Sequence, residues 1–386
     1  MKPVINWLAK ECRHCIKCLK SCPVDAISIV NHKVEIDDTQ CIYCGTCISG
    51  CPTRVLKTNT QTINTLDEHE FNVVLIPTSL LSDSSSYQDF TRICHAIKEL
   101  GFDCVEHYSD IEGYLYRKAL EDSKKEEGVW LTSFCPTINK LIETKYPTVY
   151  EQVLPYEYPV EIAAKRLREK YKDKDIGIYS LCECIGKLTL AKHPFDNANS
   201  NIDYAISIQS VFPKINKSKN QETLPIEIDH DGVISNVQQL YGHHEKTVIT
   251  TAGLNQAHTV LDLIEFDSIK NIDLVGLFAC YQGCIGGTYL WSNPFEGCYN
   301  IESVLPQCVD TNLELDEADY LLDREMTTYE MQSMKEKMAW FAKVNEVLED
   351  LPHFDCGACG FANCRTLAQN VVNGKVTEQA CRVKRR

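Results

Sequence analysis

The sequence predicts an α/β protein in which a large domain built on parallel sheets flanked by helices lies between two small cysteine-rich modules. Three observations carry this. Cysteines crowd both ends: a duplicated run spans 12–51 and a third group spans 356–381. Apolar runs at 73–76, 129–132, 176–181, 202–208 and 274–278 alternate with stretches of helical periodicity, and continuous apolar strands separated by helices form sheets covered on both faces. Finally, 386 residues at 44% apolar content can bury one large core and still carry satellite modules. The expected divisions are 1–60, 70–322, a connecting helix over 323–350, and 351–386.

Composition narrows the function classes. The net charge of −15 argues against nucleic acid, which calls for a basic face. The basic run Arg382–Arg386 is short and terminal and reads as a solvated tail. No charged start leads into a long apolar stretch, and no run approaches 18 apolar residues, so neither a signal peptide nor a membrane span is expected. A cytoplasmic setting follows as the expectation. There, a chain with 21 cysteines uses them more often as metal ligands than as disulfides.

The first module is a repeat. Cys12, Cys15, Cys18 and Cys22-Pro23 form C-x2-C-x2-C-x3-C-P, and Cys41, Cys44, Cys47 and Cys51-Pro52 repeat it. This is the bacterial ferredoxin signature, in which a close triplet serves one cube and the fourth cysteine serves the other. Cys12, Cys15, Cys18 and Cys51 are assigned to one 4Fe–4S cluster, and Cys41, Cys44, Cys47 and Cys22 to a second. Two zinc knuckles are the plain alternative, disfavoured by the fourth cysteine and proline occurring twice. His14 and His32 read as exposed loop residues. Paired clusters relay single electrons, so something else in the chain consumes or supplies them.

In the middle domain Phe90, Ile93, Ile97 and Leu100 follow helical spacing, with Gly101 suited to the C-terminal cap. The polar stretch 214–236 reads as a surface excursion. From about Thr327 to Leu348, Met331, Met334, Met338, Phe341, Val344 and Leu348 predict a helix with one buried stripe that docks the last module. That module holds Cys356, Cys359, Cys364 and Cys381 as C-x2-C-x4-C-x16-C, with glycines that let backbone approach a cluster. Leu367, Val371 and Val372 predict a short helix ending near Gly374. A single 4Fe–4S cluster is expected, with zinc as the alternative.

Three more motifs follow apolar runs: Leu131-Thr132-Ser133-Phe134-Cys135-Pro136, Cys184-Ile185-Gly186-Lys187, and Ala279-Cys280-Tyr281-Gln282-Gly283-Cys284-Ile285-Gly286-Gly287. Ligands of open parallel sheets bind off the carboxyl ends of strands, so three such motifs can converge. In order and spacing they resemble the active-site signatures of the iron-only (FeFe) hydrogenases, over roughly 70–320. The flanking cluster modules fit that family's modular architecture, and the third-motif tail, Cys284-Ile285-Gly286-Gly287-Thr288 followed by Asn293-Pro294-Phe295, resembles its sensory and poorly characterised branches. The resemblance implies that Cys135, Cys184, Cys280 and Cys284 bind the cubane of an H-cluster, that Cys284 bridges to a di-iron subsite, and that Lys187 hydrogen-bonds a cyanide on it. An ammonium facing an anionic iron complex is sound charge pairing.

The chain departs from the family pattern in instructive places. Productive relatives carry a proton-relaying cysteine where Phe134 stands, and a phenyl ring cannot carry a proton. Methionines that commonly precede the second and third motifs are replaced by Cys182 and Phe278, which makes Cys182 a candidate alternative proton carrier. Glu143 reads as an ordinary helix residue, and Cys94, Cys104, Cys298 and Cys308 as buried or incidental. Relatives with a sensory role continue into an output domain, whereas this chain ends at Arg386, so any signal is expected to leave as electrons or through a separate signalling partner. Three functions follow from the resemblance. The first is slow interconversion of H2 with protons and electrons, supplied by a ferredoxin-like carrier. The second is H2 or redox sensing through a partner. The third is electron transfer without the di-iron subsite.

Overall fold

The computed structural model describes residues 4–60, 62–125, 127–132, 134–190, 200–243, 245–322 and 334–384. The chain divides into two compact units, Met1–Asn59 with Glu325–Arg386, and Thr60–Arg324. The two terminal cysteine modules thus share one unit.

In the first unit β1 (Ile5–Trp7), β2 (Ile27–Val30), β3 (Lys33–Ile36) and β4 (Leu56–Thr58) make two antiparallel pairs, β1–β4 and β2–β3. Asn31 and His32 turn the β2–β3 hairpin with φ of 48° and 62°, the double left-handed geometry of a two-residue loop. His14 and His32 are both exposed, as expected, and meet edge-to-face at 5.7 Å. The helix Met334–Glu349 packs on the helix Cys364–Val372 around Val344, Leu351 and Leu367. The expected stripe is corrected here. Val344 is buried and Leu348 packs beside it as expected, but Met338 is 67% and Phe341 49% exposed, because Trp340 and Val347 take the contact face instead. Met331 and the side chain of Met334 lie outside the described residues.

Among the described residues, the second unit carries seven parallel strands: β5 (Phe71–Ile76), β6 (Cys104–His107), β7 (Trp130–Leu131), β8 (Ile176–Cys182), β9 (Tyr204–Ser207), β10 (Val248–Ala252) and β11 (Leu274–Phe278). They form two sheets, ordered β6-β5-β8-β9 and β10-β11-β7. β8, an interior strand, is buried at every residue, which is why it reads as one unbroken apolar run. Helix Tyr87–Lys98 buries Phe90, Ile93 and Ile97. The run at 202–208 ends early because Ile208 opens the helix Ile208–Ser218.

The stretch 214–236 is not a surface excursion throughout. Asp229 caps the helix His230–Asn236 through the Gly232 N–H at 2.8 Å, and Gly232, Val233, Ser235 and Asn236 are buried. Polar side chains are tolerated inside because they bond to backbone: Asn236 Nδ2 and Ser235 Oγ both donate to Gly232 O, at 2.9 and 2.8 Å. Among the described residues no helix is long and apolar enough to cross a membrane.

Candidate functional site

The duplicated run keeps its symmetry in the backbone. Two and four residues beyond Cys12 the chain turns left-handed at His14 and Ile16 (φ 51° and 57°), and two and four beyond Cys41 it does so at Tyr43 and Gly45 (53° and 77°). Three residues after Cys22 and Cys51, Asp25 and Arg54 do the same (55° and 52°). A β-branched Ile16 in this region is costly and signals a constraint beyond local preference. Successive turns of this kind aim backbone N–H groups at a common anion.

The thiols gather in two sets. Burial raises the Cys18 pKa, and Cys51, Cys12 and Cys15 press it the same way. Those four cysteines line one cavity with about 380 Å³ of atom-free space. Burial likewise pushes Cys41 up to about 12, helped by Cys44 and Cys22, and Cys47 lies within the influence of Cys44, Cys41 and Cys22. In the last module Cys359 feels Cys356 and Cys381, and Cys359, Cys364 and Cys381 share the apolar cluster around Phe361. Among the described residues no three His, Cys, Asp or Glu side chains are spaced to hold a single metal ion.

In the second unit each motif leaves the carboxyl end of a strand: the first follows β7, the second β8, the third β11. The loops touch. A Cβ on Gly186 would lie 2.6 Å from Thr137 Oγ1, and one on Gly287 would lie 2.6 Å from Glu183 O, so only hydrogen fits at either crossing. Tyr289 N–H also donates to Glu183 O at 2.8 Å. Cys135 stands at the N-cap position of the helix Pro136–Lys145 without a side-chain cap bond; burial raises its thiol, and the nearby backbone of Ala279, Ile138 and Thr137 partly offsets that rise. Cys184 is raised by burial, then by Glu183 and Cys280. Cys284 is raised by burial, with Lys187 opposing and Glu183, Cys135 and Cys280 adding to it. Electrostatic influence thus links Cys184 to Cys280, and Cys284 to both Cys135 and Cys280, across the three loops.

Beside them lies a cavity with about 530 Å³ of atom-free space, including its open mouth, whose lining includes Cys135, Cys284, Lys187, Phe134, Tyr108 and Glu112. The Lys187 side chain is 10% exposed, and its Nζ stands 2.7 Å from Glu183 Oε1. The angle makes this an ion pair rather than an aligned hydrogen bond. Nζ also lies 3.5 Å from the Tyr108 hydroxyl. Desolvation disfavours the ammonium, but Glu183, Tyr108, Cys284 and Glu112 outweigh it and hold the Lys187 pKa high.

Glu112 and Glu183 escaped the sequence reading. Glu183 had a signal, a carboxylate directly before the second motif and four residues before Lys187. Glu112 had a fainter one, falling on the buried face of its helix with Tyr116 and Ala119. Burial, opposed by Lys187 and Thr78, pushes Glu112 up to about 7. Its Oε2 is buried without a well-formed partner.

Phe134 lines the cavity and packs against the main core. Cys182 is fully buried at the end of β8, held protonated by burial at a pKa of about 12. Its thiol lies 3.6 Å from Ser180 O, and it is not among the residues lining the cavity. Glu143 pairs with Lys140 at 3.4 Å on the helix surface. Cys94 is fully buried, whereas Cys104, Cys298 and Cys308 are half-buried.

A buried ammonium, a Cys184 thiol that accepts from the Lys187 N–H at 3.5 Å, and an unfilled carboxylate oxygen close to one space suit an anionic iron–sulfur group with a further ligand beside it. Comparison with known proteins agrees in kind. Residues 5–52 match the 4Fe-4S dicluster domain, 79–230 match the iron only hydrogenase large subunit, C-terminal domain, and 351–383 match an Fe-S cluster domain. The hydrogenase match takes in Cys135 and Cys184 and stops short of Cys280 and Cys284. No curated protein matches the chain.

Among solved structures, an FeFe-hydrogenase described for oxygen inactivation of its H cluster 2Fe subcluster is 14% identical, covering 62% of this chain and 86% of its own, with a TM-score of 0.46. HydA(deltaEFG), described for stepwise H-cluster assembly, is 16% identical, covering 63% and 87%, at 0.45. A variant of HydA1 from Chlamydomonas reinhardtii is 15% identical, covering 64% and 86%, at 0.45.

The chain is an iron–sulfur protein with cluster domains at both ends. It is FeFe-hydrogenase-like, with an N-terminal ferredoxin-type domain and a C-terminal Fe–S domain.

Proposed function

We propose that this protein is a slow FeFe-hydrogenase-type oxidoreductase, in which Cys135, Cys184, Cys280 and Cys284 hold the cubane of an H-cluster. The convergence of three motif loops on one cavity beside Lys187 carries this reading. When bound, that cofactor supplies the chemistry joining two protons and two electrons as H2 and the reverse, and the protein contributes position and field. Cys284 and Lys187, both in the cavity lining, would hold the group there, the first as a thiolate ligand and the second as a cation for an anionic ligand. Glu112, on the helix Ser109–Asp122, is the carboxyl in the cavity lining. It titrates near neutral pH and can hold the proton that Phe134 cannot. Cys182, a protonated thiol within the field of Lys187, stays a secondary candidate for the same task. Electrons reach the site from one-electron carriers by way of the 4Fe–4S sites of Cys12, Cys15, Cys18 and Cys51, of Cys41, Cys44, Cys47 and Cys22, and of Cys356, Cys359, Cys364 and Cys381.

A sensory reading, in which a partner reads the redox state, is favoured by one observation: the apolar Phe134 ring stands in the cavity wall. Infrared spectra of anaerobically matured protein test the proposal. Iron-bound CO and cyanide bands are expected, and their absence leaves an electron-transfer protein without the di-iron subsite. H2 oxidation by wild type and Phe134→Cys then separates enzyme from sensor.

A further inference from the structure

The C-terminal module is fastened to the ferredoxin-type module at one particular place within their shared unit. Lys20, on the short helix Lys17–Ser21 that carries Cys18, donates from its ammonium to the backbone carbonyls of Asp355 and Ala362. Asp355 precedes Cys356, and Ala362 lies between Cys359 and Cys364. The Ile29 N–H donates to Gly360 O at 2.8 Å. Thr366 Oγ1 donates to Asp25 Oδ2 at 2.7 Å, and Lys375 pairs with Asp37 at 3.2 Å.

The approach is close enough to demand glycine. At Gly360 (φ +89°) a Cβ would lie 2.0 Å from Ile29 O, and at Gly357 (φ +74°) it would lie 3.1 Å from Ile16 Cδ1 and 3.6 Å from Leu19 Cδ2. Ile16 and Ile29 also line the cavity of Cys12, Cys15, Cys18 and Cys51. The Ile16 side chain thus touches both that cavity and the residue next to Cys356. Cys356 itself is exposed.

We propose that the Cys356, Cys359, Cys364 and Cys381 site exchanges electrons directly with the Cys12, Cys15, Cys18 and Cys51 site. The two form one conducting couple, with the C-terminal module as its outer port for a one-electron carrier protein. The inference rests on reading both cysteine sets as 4Fe–4S sites. One electron leaves one site and enters the other, and no bond is made or broken. The carrier protein supplies or removes that electron at the port.

The test is electron paramagnetic resonance of the full chain, loaded with iron and sulfide and photoreduced. In the wild type, the signals of the two sites split one another. Cys356→Ala loses about four irons per chain together with that splitting, so the wild-type spectrum is not the variant spectrum plus an isolated signal. Lys20→Met keeps every ligand and the wild-type iron content and narrows the splitting. Additive spectra alongside a four-iron loss overturn the direct exchange while leaving the cluster sites standing. Iron content unchanged in Cys356→Ala overturns the cluster reading of the module and the inference with it. Should Cys356→Ala not fold, full iron with unaltered splitting in Lys20→Met overturns the proposal.

Discussion

Replacing Glu112 by glutamine isolates the titration of one buried carboxyl. Burial lifts its pKa from 4.5 to about 7 in the folded chain. At about 1.4 kcal/mol per pH unit, the full difference is worth about 3 kcal/mol. The sign follows from the direction. The folded state holds this proton more tightly than the unfolded state, so the contribution is fully present below pH 4.5 and is lost as pH rises through 7. Urea unfolding of the cluster-free protein, followed by near-ultraviolet circular dichroism, measures it as the stability of the wild type minus that of Glu112→Gln at each pH. Other titrating groups cancel in that difference. Wild type should fall relative to the variant by about 2–3 kcal/mol between about pH 5 and 8.5. A difference that stays flat across that range refutes the placement of Glu112 in a desolvated wall beside Lys187.

Other outcomes follow from the same geometry. Lys187→Met strands the Glu183 carboxylate, which is 1% exposed, and should destabilise the cluster-free protein by about 3–5 kcal/mol; the Lys187→Met, Glu183→Gln double variant should recover part of that in the same urea assay. Gly186→Val forces side-chain atoms into Thr137 Oγ1 and should lower iron content at the middle site while the terminal sites stay filled, as measured by iron analysis. Phe134→Cys should raise H2 oxidation in matured protein, and unchanged activity would remove Phe134 as the obstacle to proton delivery.

The gathering of Cys12, Cys15, Cys18 and Cys51 around one cavity was readable in the sequence because a duplicated cysteine run is a local pattern. The strands β5, β8 and β11 were readable because interior strands of covered sheets are apolar on both faces. β6 and β10 were not, since Cys104–His107 is short and ends in two polar residues, Glu106 and His107, and Val248–Ala252 carries two threonines. The cavity wall was the least legible part. Glu112 and Asn236 reach it from helices far apart in sequence, and a polar residue on a buried helix face looks like an error of pattern until the space it faces is known. The docking of the last module through Lys20 was likewise invisible, because an exposed-looking lysine bonding to distant carbonyls leaves no periodic trace.

The middle thiols are divided between two sheets. Cys184 leaves β8 of the four-stranded sheet, whereas Cys135, Cys280 and Cys284 leave β7 and β11 of the three-stranded one. A group held by all four would therefore be a rivet through two layers that also meet through the Tyr289 N–H bond to Glu183 O. Loading it would stabilise the folded arrangement by mass action, so resistance to heat and proteolysis should rise when the rivet is set.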